Sequence, residues 1–405
     1  MANGTSFTIT EGERSEQDVR AELVGRATAL QPLLRKHAAA GEKDRVLPVE
    51  VVDAMAESGV FRLLTPKRYG GSQTNLRTLT EVSEVLGEGD GSAAWVGMII
   101  AVTNWLACLF PDKAQEEVFG ADPDARTTGV AAPTGVGERV AGGWRVSGKW
   151  SYSSGAPFAT WAAVGALLKD ESGAISDQAL ALIPASDLTF EDTWHTVGMK
   201  ATASGTLVGR DVFVPEHRVL SVPAAAEGVY PRSARDETLY DSAFGPMLVL
   251  CLAGPLLGLG SAALTAVREA AATKPLSFTV YDSQADSVGI QMQVAEAALK
   301  LESARLLVYR AVDEVDEAAA GEPLGLAARS HIRARAGFAV QQVIEAVSVL
   351  LNAHGASAFT DDNALQRIWR DVNVAARHAG LVPGVGLEVY GKSLLGVSER
   401  VSLML

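Results

Sequence analysis

Residues 143–150, GWRVSGKW, predict a β-strand within a chain that is otherwise rich in helix-forming residues. One face of this strand would carry Trp144, Val146, Gly148 and Trp150, and the other would carry Arg145, Ser147 and Lys149. Similar runs, such as WAAVGALL, QALALIPA and TLVGRDVFVP, follow it and are divided by Gly, Pro, Asp and Ser. We therefore predict a compact β domain over residues 123–235.

Helical patterns lie on both sides of this β domain. Residues 1–122 have apolar side chains at spacings of three and four, interrupted by TPKRYGGSQ and GEGDGS. Residues 236–405 contain long stretches rich in alanine and leucine, at 248–272, 288–318, 327–353 and 363–381. The predicted fold class is mainly α with a central β domain: an N-terminal helical domain (1–122), a middle β-barrel or sandwich (123–235) and a C-terminal four-helix bundle (236–405).

The composition indicates a globular, cytoplasmic protein. Of the 405 residues, 48% are hydrophobic and 20% are charged. The net charge of −13 disfavours nucleic acid or an anionic membrane as a partner, because phosphates would be repelled. The apolar runs are too short to span a bilayer, and the start of the chain lacks a signal-peptide pattern. Cys108 and Cys251 lie in apolar surroundings, which is typical of a reducing compartment.

The absence of common motifs excludes several classes of site. The sequence contains no HExxH, CxxC, Walker, GxSxG or strand-linked GxGxxG motif. Its six histidines show no i, i+4 pair of the kind that a helical metal site needs. We therefore expect no metal site and no nicotinamide-binding domain.

Several segments, in this order, resemble the acyl-CoA dehydrogenase superfamily. They are Leu47-Pro48 through Gly59-Val60, Pro66-Lys67-Arg68-Tyr69-Gly70-Gly71, Trp194-His195-Thr196-Val197-Gly198-Met199 with Thr202 and Ser204, Asp211-Val212-Phe213-Val214-Pro215, and Leu301-Glu302-Ser303-Ala304-Arg305. Other stretches resemble its reduced-flavin-dependent hydroxylases, the group D two-component monooxygenases. They are residues 90–95 (DGSAAW), residues 148–155 (GKWSYSSG) followed by Trp161, residues 365–371 (LQRIWRD), and His378. The resemblance covers nearly the whole chain and implies an acyl-CoA dehydrogenase-like fold.

The resemblance implies the oxygenase component of a two-component flavin monooxygenase. Such a protein takes FADH2 by diffusion from a separate NAD(P)H-dependent flavin reductase, with FMN as an alternative cofactor. A C4a-hydroperoxide formed with O2 then hydroxylates a small aromatic or indole substrate, as in actinobacterial natural-product pathways. The resemblance also implies a homo-oligomer, which we expect to be a tetramer. The alternatives are N- or S-oxygenation, a dehydrogenase with a different base, and a catalytically silent flavin-binding scaffold.

The residue pattern of the last helices disfavours desaturation. In the dehydrogenases of the family, a glutamate nine residues after an arginine commonly abstracts the substrate proton. Counting from Arg370 gives Ala379, which cannot take a proton, so the base would have to come from another helix. The neighbouring His378 is the predicted catalytic base, because a near-neutral imidazole can deprotonate a phenol or an indole. Asp371 is predicted to orient His378, although a pair with Arg367 or Arg370 is an equal alternative.

The resemblance also implies a set of cofactor contacts. Ser153, with Ser154 beside it, would approach flavin N5, in the segment that includes Trp150. The predicted cofactor-binding residues are Ala131, Ala132, Trp150, Ser153, Ser154, Thr202, Ser204, Gly355, Ala356 and Arg370. Gly355 and Ala356 would receive the adenosine side of a flavin from a neighbouring subunit. For each of them an ordinary turn, strand edge or core position is the alternative.

Two further features bear on the predicted site. The chain has Lys274-Pro275-Leu276-Ser277-Phe278 where the dehydrogenases have an Arg-x-x-Phe-Gly motif, so we expect weak flavin binding. Five tryptophans, Trp95, Trp105, Trp150, Trp161 and Trp369, offer apolar bulk for a planar substrate. We expect these five to serve core packing rather than contact with a substrate.

Overall fold

The structure, a computed structural model, describes residues 15–399 and 401–402. The helices before the sheet are α1 (Glu16–Asp44), α2 (Val49–Glu57), α3 (Leu76–Gly87), α4 (Gly91–Ala107) and α5 (Asp112–Phe119). The strands are β1 (Thr127–Val140), β2 (Gly143–Trp150), β3 (Trp161–Lys169), β4 (Ile175–Pro184), β5 (Thr189–Glu191), β6 (Thr206–Pro215) and β7 (Val219–Ser221). The helices after the sheet are α6 (Val222–Ala226), α7 (Phe244–Leu250), α8 (Ala253–Ala271), α9 (Val288–Ala319), α10 (Leu326–His354), α11 (Ala364–Ala375) and α12 (Pro383–Leu394). The order of helices, strands and helices is the one that the sequence predicts.

Helix α4 lies at the centre of the protein. Asp90 caps its start by accepting a hydrogen bond from the amide of Ala93 at 2.7 Å. Nearly every residue of the helix is buried, as expected of a helix that is apolar on all sides. The sheet and the C-terminal helices therefore pack against α4 from different directions.

The described strands form one seven-stranded mixed sheet, where the sequence analysis allowed a barrel or a sandwich. The strand order is β5-β6-β2-β1-β3-β4-β7, with β1 and β3 parallel and the other neighbours antiparallel. In β2, Trp144, Val146 and Trp150 are buried and Arg145 is exposed, as the alternating pattern predicts. The pairing of β1 with β3 jumps from Val130 to Gly135, which leaves a bulge in β1.

The C-terminal helices pack closely on the N-terminal ones. A Cβ atom added to Gly258 of α8 would lie 2.0 Å from the carbonyl oxygen of Glu84 in α3, and one added to Gly87 would lie 2.6 Å from that of Pro255. These two glycines therefore let α3 and α8 approach until their backbones touch. One apolar core includes residues of all three predicted domains. The domain boundaries themselves stay a prediction.

Two helical segments are long and apolar enough to span a membrane, so the expectation that the apolar runs are too short is wrong. They are Phe244–Ala271 and Leu326–His354, and the protein itself buries 78% and 56% of their most apolar windows. Their apolar side chains are thus largely used inside the helical bundle, as in the core helices of globular proteins.

Candidate active site

Trp95 of α4 connects two parts of the predicted site. Its indole N–H donates to the hydroxyl of Ser154 at 3.1 Å, and both groups are buried. Its ring centroid lies 5.8 Å from that of His378, with an angle of 60° between the planes. A tilted contact at this distance is favourable between aromatic rings. Trp95 therefore brings the serine segment after β2 and the histidine after α11 to one place.

A chain of buried hydroxyl groups continues from Ser154. The hydroxyls of Ser154 and Ser204 are 2.7 Å apart, and those of Ser204 and Thr202 are 2.6 Å apart. Thr202 in turn donates to the carbonyl of Met199 at 2.8 Å. Two backbone bonds fasten the segments that carry these groups, from Gly155 N–H to Thr202 O and from Ser153 N–H to Gly205 O. The predicted residues Ser154, Thr202 and Ser204 thus belong to one polar network inside an apolar core.

The two adjacent serines differ in accessibility. Ser153 is fully buried, and its hydroxyl donates to the carbonyl of Trp150 at 2.9 Å. Ser154 keeps 6% of its surface accessible and belongs to the hydroxyl chain. A ligand can be contacted only by a side chain that retains some surface. The structure therefore favours Ser154 over Ser153 as the hydroxyl that faces a cofactor.

His378 follows α11 and begins the turn Ala379–Leu381. The amide N–H of Gly380 donates to its Nδ1 atom at 3.1 Å. Because Nδ1 is the acceptor, the proton of the neutral imidazole lies on Nε2. In this tautomer Nε2 is a hydrogen-bond donor, which does not favour the predicted role of His378 as a base.

His378 is accessible to solvent and is also surrounded by many protein atoms. Loss of hydration, with a smaller contribution from the positive charge of Arg333, lowers the pKa of His378 to about 4. The imidazole is therefore uncharged at neutral pH.

Arg333 of α10 lies beside the histidine turn without an acidic partner. One of its terminal nitrogens, Nη2, donates to the carbonyl of Ala379 at 3.0 Å. The side chain is 8% exposed, and its Nε atom is buried without a hydrogen-bond partner. Within residues 15–399 and 401–402, no carboxylate forms a salt bridge with Arg333. Burial accordingly lowers the pKa of this guanidinium.

Asp371 lies at the far end of the hydroxyl chain rather than beside His378. Its carboxylate accepts a hydrogen bond from the amide of Met199, whose carbonyl binds Thr202. Among the described residues, no hydrogen bond joins Asp371 to His378, Arg367 or Arg370. Burial raises the pKa of Asp371 to about 7 against the opposing effect of the Met199 N–H. The predicted orientation of His378 by Asp371 is therefore wrong for this structure, and Asp371 positions the 199–204 segment instead.

Arg370 has a similar positioning role. Its guanidinium pairs with Glu42 of α1 and donates to the carbonyl of Val197. A Cβ atom on Gly198 would lie 2.5 Å from the backbone of Arg370, so only glycine permits this approach. The Nε atom of Arg370 also donates to the side chain of Gln366 at 2.8 Å, so all three groups that Arg370 binds are protein groups. Its predicted cofactor contact stays a prediction.

The bulge of β1 fits the predicted backbone contacts to a flavin. Ala131 and Ala132 lie in the four-residue bulge and are exposed, and their carbonyls face Gly165 of β3. Pro133 lacks an N–H group and interrupts the ladder there. Residues 131–134 have no register partner in β3, and the predicted flavin contact of this backbone stays a prediction. The exposed backbone at Ala131 and Ala132 and the residue Ser154, which keeps 6% of its surface accessible, are compatible with a bound flavin.

Trp150 does not fit the same role. Its indole is fully buried, donates to the carbonyl of Gly165 at 2.7 Å, and packs on Gly135 and Gly148. A side chain without accessible surface cannot contact a cofactor. The prediction of Trp150 as a cofactor-binding side chain is corrected accordingly: it supports the bulge from behind.

Gly355 and Ala356 form the turn between α10 and α11. Gly355 has φ 84° and ψ −167°, a conformation that favours glycine. The ammonium of Lys274 donates to the carbonyl of His354 and, at 2.6 Å, to the hydroxyl of Ser357. Lys274 thus brings a positive charge to this turn, in the segment where the dehydrogenases have an arginine.

Sequence reasoning missed two residues of this site. Trp95 was assigned to core packing, yet a buried indole N–H requires an acceptor, and that requirement was the available signal. Arg333 was not singled out. It shares a helical face with Gly337 and Val340, which are buried, and a charge on such an apolar face is uncommon.

Comparisons with known proteins agree with this architecture. Residues 22–119 match the acyl-CoA dehydrogenase N-terminal domain, and residues 250–383 match the acyl-CoA dehydrogenase C-terminal domain. The chain is 34% identical over 374 residues to the oxygenase subunit HsaA of a flavin-dependent monooxygenase from Mycobacterium tuberculosis, covering 91% of this chain and 94% of the relative. It is 32% identical over 388 residues to the oxygenase component of an FADH2-dependent resorcinol hydroxylase from Rhizobium sp., covering 93% and 95%.

A solved structure shows the same likeness in three dimensions. XiaF from Streptomyces sp., in complex with FADH2 and glycerol, superposes with a TM-score of 0.90 at 39% sequence identity. The match covers 96% of this chain and 98% of XiaF. The described fold is therefore shared along almost the whole chain.

Proposed function

The chain belongs to the acyl-CoA dehydrogenase superfamily, in its family of flavin-dependent monooxygenase oxygenase subunits, and on this basis we propose that it hydroxylates a small aromatic or indole substrate with reduced flavin and O2. The observation that carries the proposal is the contact series from His378 through Trp95 to Ser154, Ser204 and Thr202. It joins the exposed His378 to polar groups that are buried in the interior.

We infer the roles of the site residues from this arrangement. When bound, reduced flavin supplies the electrons that activate O2. The backbone of Ala131 and Ala132 would bind the ring edge, and Ser154 would place a hydroxyl beside the ring. Because Ser154 is itself held by Trp95 and Ser204, its hydroxyl has a fixed direction. The buried network and the apolar residues around it exclude water, which would otherwise release peroxide.

The position of the dehydrogenase base argues against desaturation as the activity. Ala379 occupies that position, and its carbonyl binds Arg333. Ala379 cannot remove an α-proton, and Nδ1 of His378, the nitrogen that could accept one, is engaged by the Gly380 amide. The relatives that match along the chain are hydroxylases and monooxygenases.

The partners follow from the same proposal. The words oxygenase subunit and oxygenase component in the names of the relatives imply a separate component that supplies reduced flavin. We propose an NAD(P)H-dependent flavin reductase that delivers FADH2 by diffusion. We further propose that the protein is cytoplasmic and assembles as a homotetramer, so that the Gly355–Ala356 turn meets a flavin of the adjacent subunit.

A coupled assay tests the function. The protein is mixed with a generic flavin reductase, NADH, FAD and indole under air, and the product is analysed by mass spectrometry. We expect an oxygenated indole, and none without O2 or without the reductase. Bleaching of a yellow protein by a fatty-acyl thioester, with no oxygenated product in the coupled assay, would instead indicate a dehydrogenase.

A further inference from the structure

The hydroxyl chain Ser154–Ser204–Thr202 ends on a group that can only accept a hydrogen bond. Thr202 donates to the carbonyl oxygen of Met199 at 2.8 Å, and the indole N–H of Trp194 donates to the same oxygen at 2.9 Å. A carbonyl oxygen has lone pairs and no proton to give. The proton of the Thr202 hydroxyl is therefore committed to this contact, and the oxygen of Thr202 can only accept from Ser204.

The direction of the other two contacts follows from this end of the chain. Each hydroxyl group has one proton. Because Thr202 has used its own, the 2.6 Å contact between Ser204 and Thr202 needs the proton of Ser204. The 2.7 Å contact between Ser154 and Ser204 then needs the proton of Ser154. Only in this assignment are all three contacts hydrogen bonds, since any other leaves two oxygen lone pairs facing each other.

Ser154, at the other end of the chain, consequently has no proton left to donate. One of the two lone pairs on its oxygen accepts the indole N–H of Trp95 at 3.1 Å. The second lone pair has no donor among the described residues, and Ser154 keeps 6% of its surface accessible. A ligand that binds through this hydroxyl must therefore supply the hydrogen atom of the new bond.

We propose that Thr202 and Ser204 determine which redox state of the flavin this site binds, because they leave Ser154 able only to accept a hydrogen bond. The inference rests on the proposed function, with Ser154 as the hydroxyl beside flavin N5. In reduced flavin N5 carries a hydrogen atom and donates, whereas in oxidised flavin N5 has a lone pair and no hydrogen. The chain therefore favours FADH2 and disfavours FAD. Thr202 and Ser204 are positioning residues that act through Ser154.

Equilibrium binding of both redox states tests the proposal without turnover. The probes are FAD, titrated under air, and FADH2, prepared by chemical reduction and titrated under anaerobic conditions. We expect the wild-type protein to bind FADH2 more tightly than FAD by about 10-fold or more, because one hydrogen bond is made with FADH2 and refused to FAD.

Two substitutions free the proton of Ser154 and leave its bond to Trp95 intact. Thr202→Val removes the last hydroxyl, so that Ser204 can donate to Ser154 and Ser154 can donate to a ligand. Ser204→Ala removes the acceptor of Ser154 directly. Each variant should tighten FAD binding by about 10-fold and lower the preference for FADH2 by the same factor. A site that has merely loosened would not gain affinity for FAD.

Two controls separate the chain from general structural effects. Thr202→Ser keeps the hydroxyl and should keep the wild-type preference. Thr206→Val is the same substitution as Thr202→Val at a buried threonine of β6, whose hydroxyl contacts those of Ser151 and Thr193, and it should change neither affinity. Equal affinity of the wild type for FAD and FADH2, or an unchanged preference in both Thr202→Val and Ser204→Ala, would overturn the proposal.

The outcomes also distinguish this inference from the proposed function. If the coupled assay gives oxygenated indole while both variants keep the wild-type preference, the chain does not select the redox state and the function stands. If both variants gain affinity for FAD but no substrate is ever oxygenated, the chain selects the redox state and the function is wrong.

Discussion

The indole N–H of Trp95 donates to the hydroxyl of Ser154 at 3.1 Å, across 59 positions of sequence. This bond joins helix α4 to the segment after β2, and the ring of the same tryptophan contacts His378. One side chain therefore fixes the position of a hydroxyl group relative to an imidazole.

The first prediction concerns Trp95→Phe. Phenylalanine keeps an aromatic ring against His378 but removes the N–H that holds Ser154. We expect peroxide release per NADH consumed to rise about 3- to 10-fold, because the freed hydroxyl loses its fixed direction. The measurement is peroxide against oxygenated product in the coupled assay.

Trp105→Phe is the matched control. Trp105 lies on the same helix, is fully buried, and donates to the carbonyl of Leu239 at 3.0 Å. Both variants should lose about 1–3 kcal/mol of unfolding free energy, but only Trp95→Phe should raise peroxide release. An equal rise in both would mean that general loosening, not the Ser154 bond, controls coupling.

The second prediction compares the two adjacent serines. Ser154→Ala removes the acceptor for Trp95 and the link to Ser204, whereas Ser153→Ala removes a bond to the carbonyl of Trp150. We expect Ser154→Ala to convert most O2 to peroxide, and Ser153→Ala to lose about 1 kcal/mol of stability with little change in coupling. The reverse order would restore Ser153 as the hydroxyl beside the cofactor.

The sequence allowed the order of elements and part of the site to be predicted, because these depend on local patterns. The alternation in GWRVSGKW follows from the two faces of one strand, and it predicts β2 correctly. Pro133 already marks a place where a strand cannot continue its ladder. The family resemblance added His378, which the structure places at the exposed turn after α11.

The remaining features depend on partners far apart in the chain. The carboxylate of Asp371 binds the amide of Met199, 172 positions away, so spacing within α11 suggested His378 as the partner instead. Backbone hydrogen bonds between the loop after β2 and residues 202–205 determine that Ser154, and not Ser153, retains accessible surface. The tautomer of His378 follows from the amide of Gly380, two residues later, which donates to Nδ1. The sequence His-Ala-Gly alone does not show that this amide points at the imidazole.

The third prediction concerns the pH dependence of Asp371. Its pKa in the folded protein is raised to about 7, above the value near 3.9 expected in the unfolded chain. The Asp371 carboxyl group therefore makes its full contribution to stability below about pH 4, and this contribution is lost as the pH rises towards 7. Asp371→Asn keeps an acceptor for the Met199 amide and cannot ionise.

We subtract the unfolding free energy of the wild type from that of Asp371→Asn. This difference should increase by at most about 4 kcal/mol between pH 4 and pH 8. Urea unfolding at several pH values measures this difference. Asp211→Asn replaces an exposed carboxylate and serves as the control, for which a nearly constant difference is expected. A difference for Asp371→Asn that stays flat or falls with rising pH would contradict the assignment.

The fourth prediction concerns Lys274 and the turn at Gly355. Lys274 holds this turn through the carbonyl of His354 and the hydroxyl of Ser357, and desolvation lowers the pKa of its ammonium group. If the turn receives the adenosine side of a flavin, Lys274→Met should weaken FAD binding by about 10-fold and leave FMN binding unchanged, because FMN lacks that part. Flavin fluorescence titrations measure both affinities.

Lys392→Met, which removes a lysine paired with Glu399, is the control and should change neither affinity. If Lys274→Met weakens FAD and FMN binding equally, the lysine acts on the isoalloxazine or phosphate end of the flavin. If it weakens the binding of neither, this turn is not part of the cofactor site.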